Sequence, residues 1–420
     1  MRKLLLTIGF VISAIVSLGS TSNAYTVRSG HPRVMVMPDS LDVIRARMHD
    51  GVAVYDTWKA KITSSAAPDG LPTWSVDYMP GLALLCLLEP GNTTAQGYLN
   101  TRMAAAAYSG NQAGHSQVFN RVDPISLAYD WGYTYLTEEN KKDLRRRGYT
   151  ISMAASPETG RSWQRQMNMV LPFIFNGEYD TPDSNTNISN KVTSFLSAWE
   201  TAASCYQDLY GDFGGLLYYT SLYLEGDLLI EDLLKYTFTD YNGAGLIQDF
   251  FNHSPRFSSY YLRSDYAIHV LDSRPNSTNS NFAAKFAMYQ TRKNATWVKP
   301  WINTLLFTGD EATLNTYSII FFDPGGDDQN PQDVIGYHYA NDFGRYFYNS
   351  SWTFGQGNPT TQVLFFSGPT ADSDYYRWGN HLTIRRGEDD LFPPSAKWKA
   401  DANQYNRDYA GSSGANTLHI

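Results

Sequence analysis

The stretch that decides the fold is HPRVMVMP at residues 31–38, which continues into DSLDVIRARM at residues 39–48. The second half has the apolar spacing of a helix, and Asp39 or Ser40 can cap its start. A second informative phrase is LAYDWGY at residues 127–133. These phrases matter because composition alone indicates only a large globular protein.

Together the two phrases resemble the opening of heparinase II/III-like and alginate-lyase-like polysaccharide lyases. The resemblance covers residues 31–48 and 127–139, and to a lesser degree 344–352 and 380–418. It implies an incomplete α/α toroid followed by an antiparallel β-sandwich, and cleavage of a uronic-acid polymer by β-elimination. For Tyr129-Asp130-Trp131 it implies a structural carboxylate, flanked by aromatic rings, that fixes helix packing.

Composition sets the broad class of the protein. The chain has 420 residues, of which 42% are hydrophobic and 18% charged, enough for a large core and for two or more domains. Its 30 tyrosines and 10 tryptophans suit carbohydrate binding, because flat rings pack against the C–H face of a sugar. The net charge of −8 argues against nucleic-acid binding. To bind an acidic glycan, the protein would need a local cluster of Arg, His and Asn.

The N-terminus is typical of a secretory signal peptide. Arg2 and Lys3 precede an apolar run at residues 4–18, and small residues occupy 22–24. We expect cleavage after Ala24 and a secreted or periplasmic protein. No later segment is apolar enough to predict a membrane span.

Two cysteines, Cys86 and Cys205, lie far apart in the sequence. They could pair in an oxidising compartment. Because Cys86 lies in an apolar helical run at residues 82–88, we predict two buried free thiols instead. The chain has no cysteine cluster of the kind that binds a metal.

The sequence pattern changes from helical to strand-like near residue 300. Residues 39–290 read as helices joined by polar loops, with a helix opening at Asp123-Pro124 and amphipathic candidates at 192–210 and 222–236. This pattern predicts a helical domain at 25–300, which the resemblance makes a toroid.

Short alternating runs at 344–348, 362–366 and 381–385 predict an antiparallel sheet domain at 301–420. The turn-rich segment 323–328 is the expected linker. Since the sandwich of the resembling lyases continues further, the resemblance implies that the sheet domain here is incomplete.

The implied reaction needs groups that neutralise the uronate carboxylate, a base that removes the C5 proton and an acid that protonates the leaving O4. The chain has Gly214-Gly215 followed by Tyr219 and Tyr223, which resembles the tyrosine-bearing helix of the family. The two tyrosines are four residues apart and share one helical face. They are the candidate catalytic residues, and the alternative is that both pack in the core.

The candidate substrate-binding segment is RSWQRQMN at residues 161–168. The resemblance implies an Asn-rich neutralising segment here, so Asn168 is a candidate catalytic residue, and Trp163, Arg165 and Gln166 are candidate binding residues. The Asn-His pair that the family often carries is missing, and a polar helix end is the alternative interpretation.

Three further residues complete the predicted site. His115 and Arg121 precede the Tyr-Asp-Trp helix, where a loop could reach the cleft, and His381 lies on a predicted strand. The resemblance places metal-type ligands in the sheet domain, but Tyr376, Trp378 and Ala415 stand at those places. We therefore expect no metal and no cofactor.

Two alternatives to a lyase remain open. The missing ligands and the missing Asn-His pair favour a carbohydrate-binding protein that has lost catalysis. An α/α-barrel glycoside hydrolase would need two carboxylates facing a cleft. The available carboxylates are Asp123, Asp130, Glu178, Glu200 and Asp212, and no motif singles out a pair.

Overall fold

The computed structural model describes residues 26–36, 38–64, 78–108, 124–154, 172–204, 234, 237–241, 316–321, 337–340, 345–351, 359–366, 381–387 and 389–392. Helices occupy the earlier part of the described chain, and an antiparallel sheet occupies the later part. This order agrees with the predicted α-then-β fold class. The toroid and the domain limits stay predictions, and the expected signal peptide and linker lie outside the described residues.

The described helices are α1 (Pro38–Arg47), α2 (Ala53–Thr63), α3 (Tyr78–Leu88), α4 (Thr93–Tyr108), α5 (Pro124–Gly132), α6 (Glu138–Ala154), α7 (Pro182–Ser204) and α8 (Thr316–Phe321). A single 3₁₀ turn at Tyr133–Tyr135 links α5 to α6. Within the described ranges no helix has both the length and the apolar character needed to cross a bilayer.

The starts of the helices follow simple rules. The helices α1, α5 and α7 each begin with a proline, which suits the first turn because the missing N–H would have no intrahelical partner there. At the start of α6, the Thr137 hydroxyl accepts a hydrogen bond from the backbone N–H of Asn140 at 3.2 Å. The predicted opening of α5 at Asp123-Pro124 is therefore confirmed, whereas α7 begins well before the predicted residue 192.

The centre of the described helical region is α3. It is apolar on every side, its residues Leu82–Leu88 are buried, and it packs most extensively against α5. Gly132 at the end of α5 permits close approach, because a Cβ there would lie 2.8 Å from Cδ2 of Leu99. Cys86 is a buried free thiol, as predicted, and burial raises its pKa to about 12. Cys205 lies outside the described residues.

A polar network on Glu89 joins α2 to the turn between α3 and α4. The carboxylate accepts hydrogen bonds from Tyr55 Oη at 2.8 Å, Lys59 Nζ at 2.6 Å and Asn92 Nδ2 at 2.9 Å. Burial on its own would raise the pKa of Glu89, but these hydrogen bonds and the Lys59 charge hold it below the ordinary value. The network therefore favours the ionised carboxylate.

A late segment of the chain returns to the first helices. The short helix α8 packs against α2 and α3, and the guanidinium of Arg47 donates a hydrogen bond to the backbone oxygen of Ile320. Helical packing thus continues beyond residue 300, although residue 300 itself lies outside the described residues.

The sheet is an antiparallel meander. Its strands are β1 (Tyr337–Ala340), β2 (Arg345–Asn349), β3 (Thr361–Phe366), β4 (His381–Arg386) and β5 (Asp389–Phe392), in the spatial order of the sequence. The three strands predicted from alternation are confirmed to within one residue at each end. Phe347 and Leu364 pair in register on a buried face.

Candidate functional site

A buried polar site lies where the segment 29–36 meets α5. Asp130 is fully buried and accepts hydrogen bonds from the backbone N–H groups of Arg33 at 3.1 Å and Val34 at 2.9 Å. The next residue, Trp131, donates its indole N–H to the Val34 oxygen at 2.8 Å. The two sequence segments that begin at residues 31 and 127 are therefore in direct contact.

His31 connects two carboxylates, those of Asp130 and Glu178. Its Nδ1 lies 2.5 Å from Oδ1 of Asp130, and its Nε2 lies 3.1 Å from Oε1 of Glu178. The ring stacks on Tyr133 with a centroid distance of 4.2 Å. Burial on its own would lower the pKa of His31, but the hydrogen bonds with Asp130 and Glu178 raise it above the ordinary value.

Arg33 brings the turn before Tyr179 into the same cluster. Its guanidinium donates from Nη1 to the backbone oxygen of Asn176 at 2.8 Å and from Nη2 to Oε1 of Glu178 at 2.8 Å. It also donates to the backbone oxygens of Ser29 and Gly30, both at 3.2 Å. A buried arginine is tolerated where its donors are satisfied and its charge is paired, and both conditions hold here.

Glu178 receives three donors. Besides Arg33 and His31, the hydroxyl of Tyr129 donates to Oε2 at 3.2 Å. Burial would raise the pKa of Glu178, but the hydrogen bond and charge of His31, together with the Arg33 charge, hold it below the ordinary value. Gly177, with φ at +78°, has the left-handed backbone conformation that turns the chain into this position.

Tyr129 is a buried phenol and a poor candidate for a base. Burial and the charge of Glu178 raise its pKa, so the hydroxyl stays protonated and acts as a donor. Its ring packs against Phe175 at a centroid distance of 4.8 Å. These contacts give Tyr129 a structural role, as the resemblance implied for the whole Tyr-Asp-Trp trio.

We refer to His31, Arg33, Tyr129, Asp130 and Glu178 as the clamp. Its polar atoms bind one another and the neighbouring backbone, and the side chains of His31 and Glu178 are only 4% and 10% exposed. A substrate would therefore have to displace internal partners to reach these groups. The geometry supports a role in fixing the segment 29–36 against α5 and the turn 175–178.

The clamp also bears on the hydrolase alternative. Asp130 and Glu178 are both available carboxylates, but one imidazole ring bridges them. A glycosidase pair instead flanks the scissile bond, and an inverting pair leaves room for a water molecule. This arrangement disfavours Asp130 and Glu178 as a hydrolytic pair.

Most of the predicted site residues lie outside the described residues. These are Tyr219, Tyr223, Asn168, His115, Arg165, Gln166, Arg121 and Trp163. For His381 the backbone is described: it begins β4 and pairs in register with Phe366 of β3. The assignments of these nine residues stay predictions.

Sequence reasoning missed the partnership of His31, Arg33 and Glu178. The available signal was the pair of basic residues at the head of an otherwise apolar phrase, and a carboxylate in the turn Asn176-Gly177-Glu178. Neither feature reveals its partner, because the contacts join residues more than a hundred positions apart. The expected structural role of Asp130 is confirmed by its burial and its hydrogen bonds.

The prediction of no metal can be compared with the structure only for the described residues. Among the described residues, no group of three or more His, Cys, Asp or Glu side chains could hold a metal ion. The positions that decide the prediction, Tyr376, Trp378 and Ala415, lie outside those residues. The expected lack of a metal therefore stays a prediction.

Comparisons with known proteins give structural similarity that is distant. No protein-family profile matches the sequence, and no curated protein matches it. Among solved structures, the chain is similar to a mutant of the heparan sulfate lyase HepC from Pedobacter heparinus, with a TM-score of 0.41 and 14% sequence identity. The match covers 92% of this chain and 62% of the lyase, so the chain spans less than two thirds of that protein's length.

Proposed function

We propose that the protein is a secreted polysaccharide lyase that cleaves an acidic, uronic-acid-containing glycan by β-elimination. The observation that carries the proposal is the binding of the 31–36 segment to α5 through Asp130. The two phrases that resemble the lyases were identified separately in the sequence. Their direct contact supports the interpretation that they form one structural unit, as an inherited motif pair would.

The proposed chemistry rests on the tyrosines of the 219–223 segment. Tyr219 or Tyr223 removes the C5 proton of the uronate or protonates the leaving O4. A free tyrosine has a pKa of about 10, so a tyrosine base needs a cationic or donor group beside it. Asn168 and Arg165 are the groups assigned to that task, and the same donors neutralise the uronate carboxylate.

The remaining predicted residues have supporting roles in this proposal. His115 and His381 are candidates for proton transfer, because histidine changes protonation near neutral pH. Gln166 and Arg121 bind polar groups of the glycan, and Trp163 packs against a sugar ring. No metal takes part in the proposed reaction.

The clamp supports the site without taking part in the reaction. It fixes the turn 175–178 to the segment 29–36, and the proposed substrate-binding segment 161–168 shortly precedes this turn in the sequence. A turn held by buried ionic contacts is a rigid base for binding residues placed next to it.

A carbohydrate-binding protein on the same scaffold is the second candidate. It is favoured by the missing Asn-His pair beside Asn168 and by Tyr376, Trp378 and Ala415 at the places of expected ligands. Such a protein would bind the same acidic glycans through the same polar residues and release no product.

The test is to incubate the purified protein with a panel of uronic-acid polymers and to follow the absorbance of the unsaturated uronate. A neutral glucan serves as the control polymer. We expect absorbance to rise with at least one acidic polymer and not with the glucan. Binding without a rise, measured by retardation in a polymer-containing gel, would contradict the lyase proposal and support the binding protein.

A further inference from the structure

The clamp contains one group whose protonation state decides its hydrogen bonds. Both ring nitrogens of His31 face carboxylate oxygens, Asp130 at 2.5 Å and Glu178 at 3.1 Å. A neutral imidazole has a single N–H and can donate to only one of them, whereas an imidazolium donates to both. The geometry therefore fits a doubly protonated His31.

Arg33 allows a second hydrogen-bond arrangement for His31 and Glu178. Its Nη2 lies 2.8 Å from Oε1 of Glu178 and 3.2 Å from Nε2 of His31. With His31 protonated, both cations donate to Glu178. With His31 neutral and its proton on Nδ1, the bond to Asp130 is kept, Nε2 becomes an acceptor for Arg33, and Glu178 loses one donor.

We propose that His31 is a proton-operated latch that holds the segment 29–36 to the turn 175–178. In the protonated state it bridges Asp130 and Glu178, and in the neutral state only Arg33 still connects the segment to Glu178. The proposal concerns the fold of the described clamp and does not depend on the proposed lyase activity.

The surrounding charges favour the protonated state. Within the clamp, Asp130 and Glu178 carry two negative charges, and Arg33 with protonated His31 carries two positive charges. The other titratable groups nearby are Tyr129 and Tyr133, the ring on which His31 stacks, together with Arg145 near Tyr129 and Lys141 over the Tyr133 ring. Loss of the His31 proton leaves one buried negative charge in excess in the clamp, which is costly.

The sign of the pH effect follows from the raised pKa of His31. Its stabilising contribution is fully present below the ordinary value of 6.5 and is lost as the pH rises through the folded-state value. Between these two values the closed latch holds one proton more than the open one. Opening should therefore become about tenfold more favourable per pH unit in that window.

The test is amide hydrogen exchange of the full chain between about pH 5 and 9, corrected for intrinsic exchange rates. The reporters are the N–H groups of Arg33 and Val34, which donate to Asp130. We expect their protection factors to fall by about tenfold per pH unit above pH 6.5 until the folded-state pKa is passed, while amides that exchange without opening of the clamp stay constant.

His31→Gln should remove this pH dependence because glutamine does not titrate. His49→Gln is the matched control, since His49 is an exposed histidine whose Nδ1 lies 2.9 Å from the backbone oxygen of Asp50, and it should keep the full dependence. A pH dependence that persists in His31→Gln would overturn the proposal. If that variant does not fold, nitrogen NMR of the wild-type imidazole decides: two protonated ring nitrogens near pH 6.5 support the latch, and a neutral ring contradicts it.

Discussion

Arg33 and Asp130 contact each other through the backbone of one and the side chain of the other. The Arg33 N–H lies 3.1 Å from each carboxylate oxygen of Asp130, while the Arg33 guanidinium points to Glu178 and Asn176. One residue thereby links α5 to the turn 175–178. Because Arg33 and Asp130 are buried, substitutions at these contacts should lower the stability of the protein even where they leave its activity unchanged.

Replacing Asp130 by Asn should destabilise the protein strongly. The amide keeps the shape of the carboxylate but brings an N–H₂ group toward the N–H donors of Arg33 and Val34, and it leaves buried His31 without one of its two charged partners. Breaking a buried ionic contact on one side costs about 3–5 kcal/mol. Urea denaturation measures the change.

Asp42→Asn is the control for that experiment. Asp42 pairs with Arg45 at 2.9 Å on the surface, where its side chain is 82% exposed. Its replacement should cost less than about 1 kcal/mol. Equal losses in the two variants would refute the structural role of the clamp.

Two glycine substitutions should have opposite signs. Gly148 lies within α6, and a Cβ there would overlap the ring of Phe175, so Gly148→Ala should cost about 1–3 kcal/mol through overpacking. Gly97 lies within α4, and a Cβ there would have no neighbour within 4 Å, so Gly97→Ala should stabilise by up to about 1 kcal/mol. Thermal unfolding midpoints report both effects, and a neutral Gly148→Ala would disprove the packing of Phe175 on α6.

Acid should weaken the Glu89 network. Since the pKa of Glu89 is lowered, its contribution to stability is present above the ordinary value of 4.5 and is lost as the pH falls through the folded-state value. Glu89→Gln should therefore reduce the free energy of unfolding near neutral pH and flatten its decline below pH 4.5. Urea unfolding at a series of pH values checks the slope, and an unchanged acid slope in the variant would contradict the assignment.

Tyrosine substitutions should separate catalysis from folding. At the correct position, Tyr219→Phe or Tyr223→Phe should lower kcat by about 10²–10⁴-fold with little change in stability, since only a hydroxyl is lost. Tyr129→Phe is the control: it loses the hydrogen bond to Glu178, so it should lower the unfolding midpoint and leave kcat intact. Full activity in both Tyr219→Phe and Tyr223→Phe would remove these residues from the mechanism.

Local sequence rules predicted much of the described fold. The opening of α5 at Asp123-Pro124 and the three predicted strands follow from signals that act over a few residues, namely proline at a helix start and alternation along a strand. The free, buried state of Cys86 followed from its apolar surroundings in the same way. These features could be predicted because each depends on its immediate neighbours.

The composition of the clamp could not be predicted in that way. In the sequence, Glu178 is one of several available carboxylates. Only the fold shows that it lies beside His31 and Arg33. The start of α7 was also missed, because the polar sequence of residues 182–191 does not show the apolar spacing used to recognise helices. Neither the long-range contacts nor the polar helical turns can be recognised without the tertiary structure.

The most direct test of the proposed function is the chemical nature of the reaction product. The glycan that gives the largest absorbance change should be digested in water labelled with heavy oxygen, and the fragments analysed by mass spectrometry. A β-elimination breaks the bond to O4 without adding water. The new non-reducing ends should therefore carry a C4–C5 double bond, and the fragments should gain no label beyond the exchange of their reducing-end oxygen with water. Fragments that lack the double bond and carry label beyond this exchange would show hydrolysis, and a complete lack of fragments from every acidic polymer would show no lyase activity on them; either result would contradict the account.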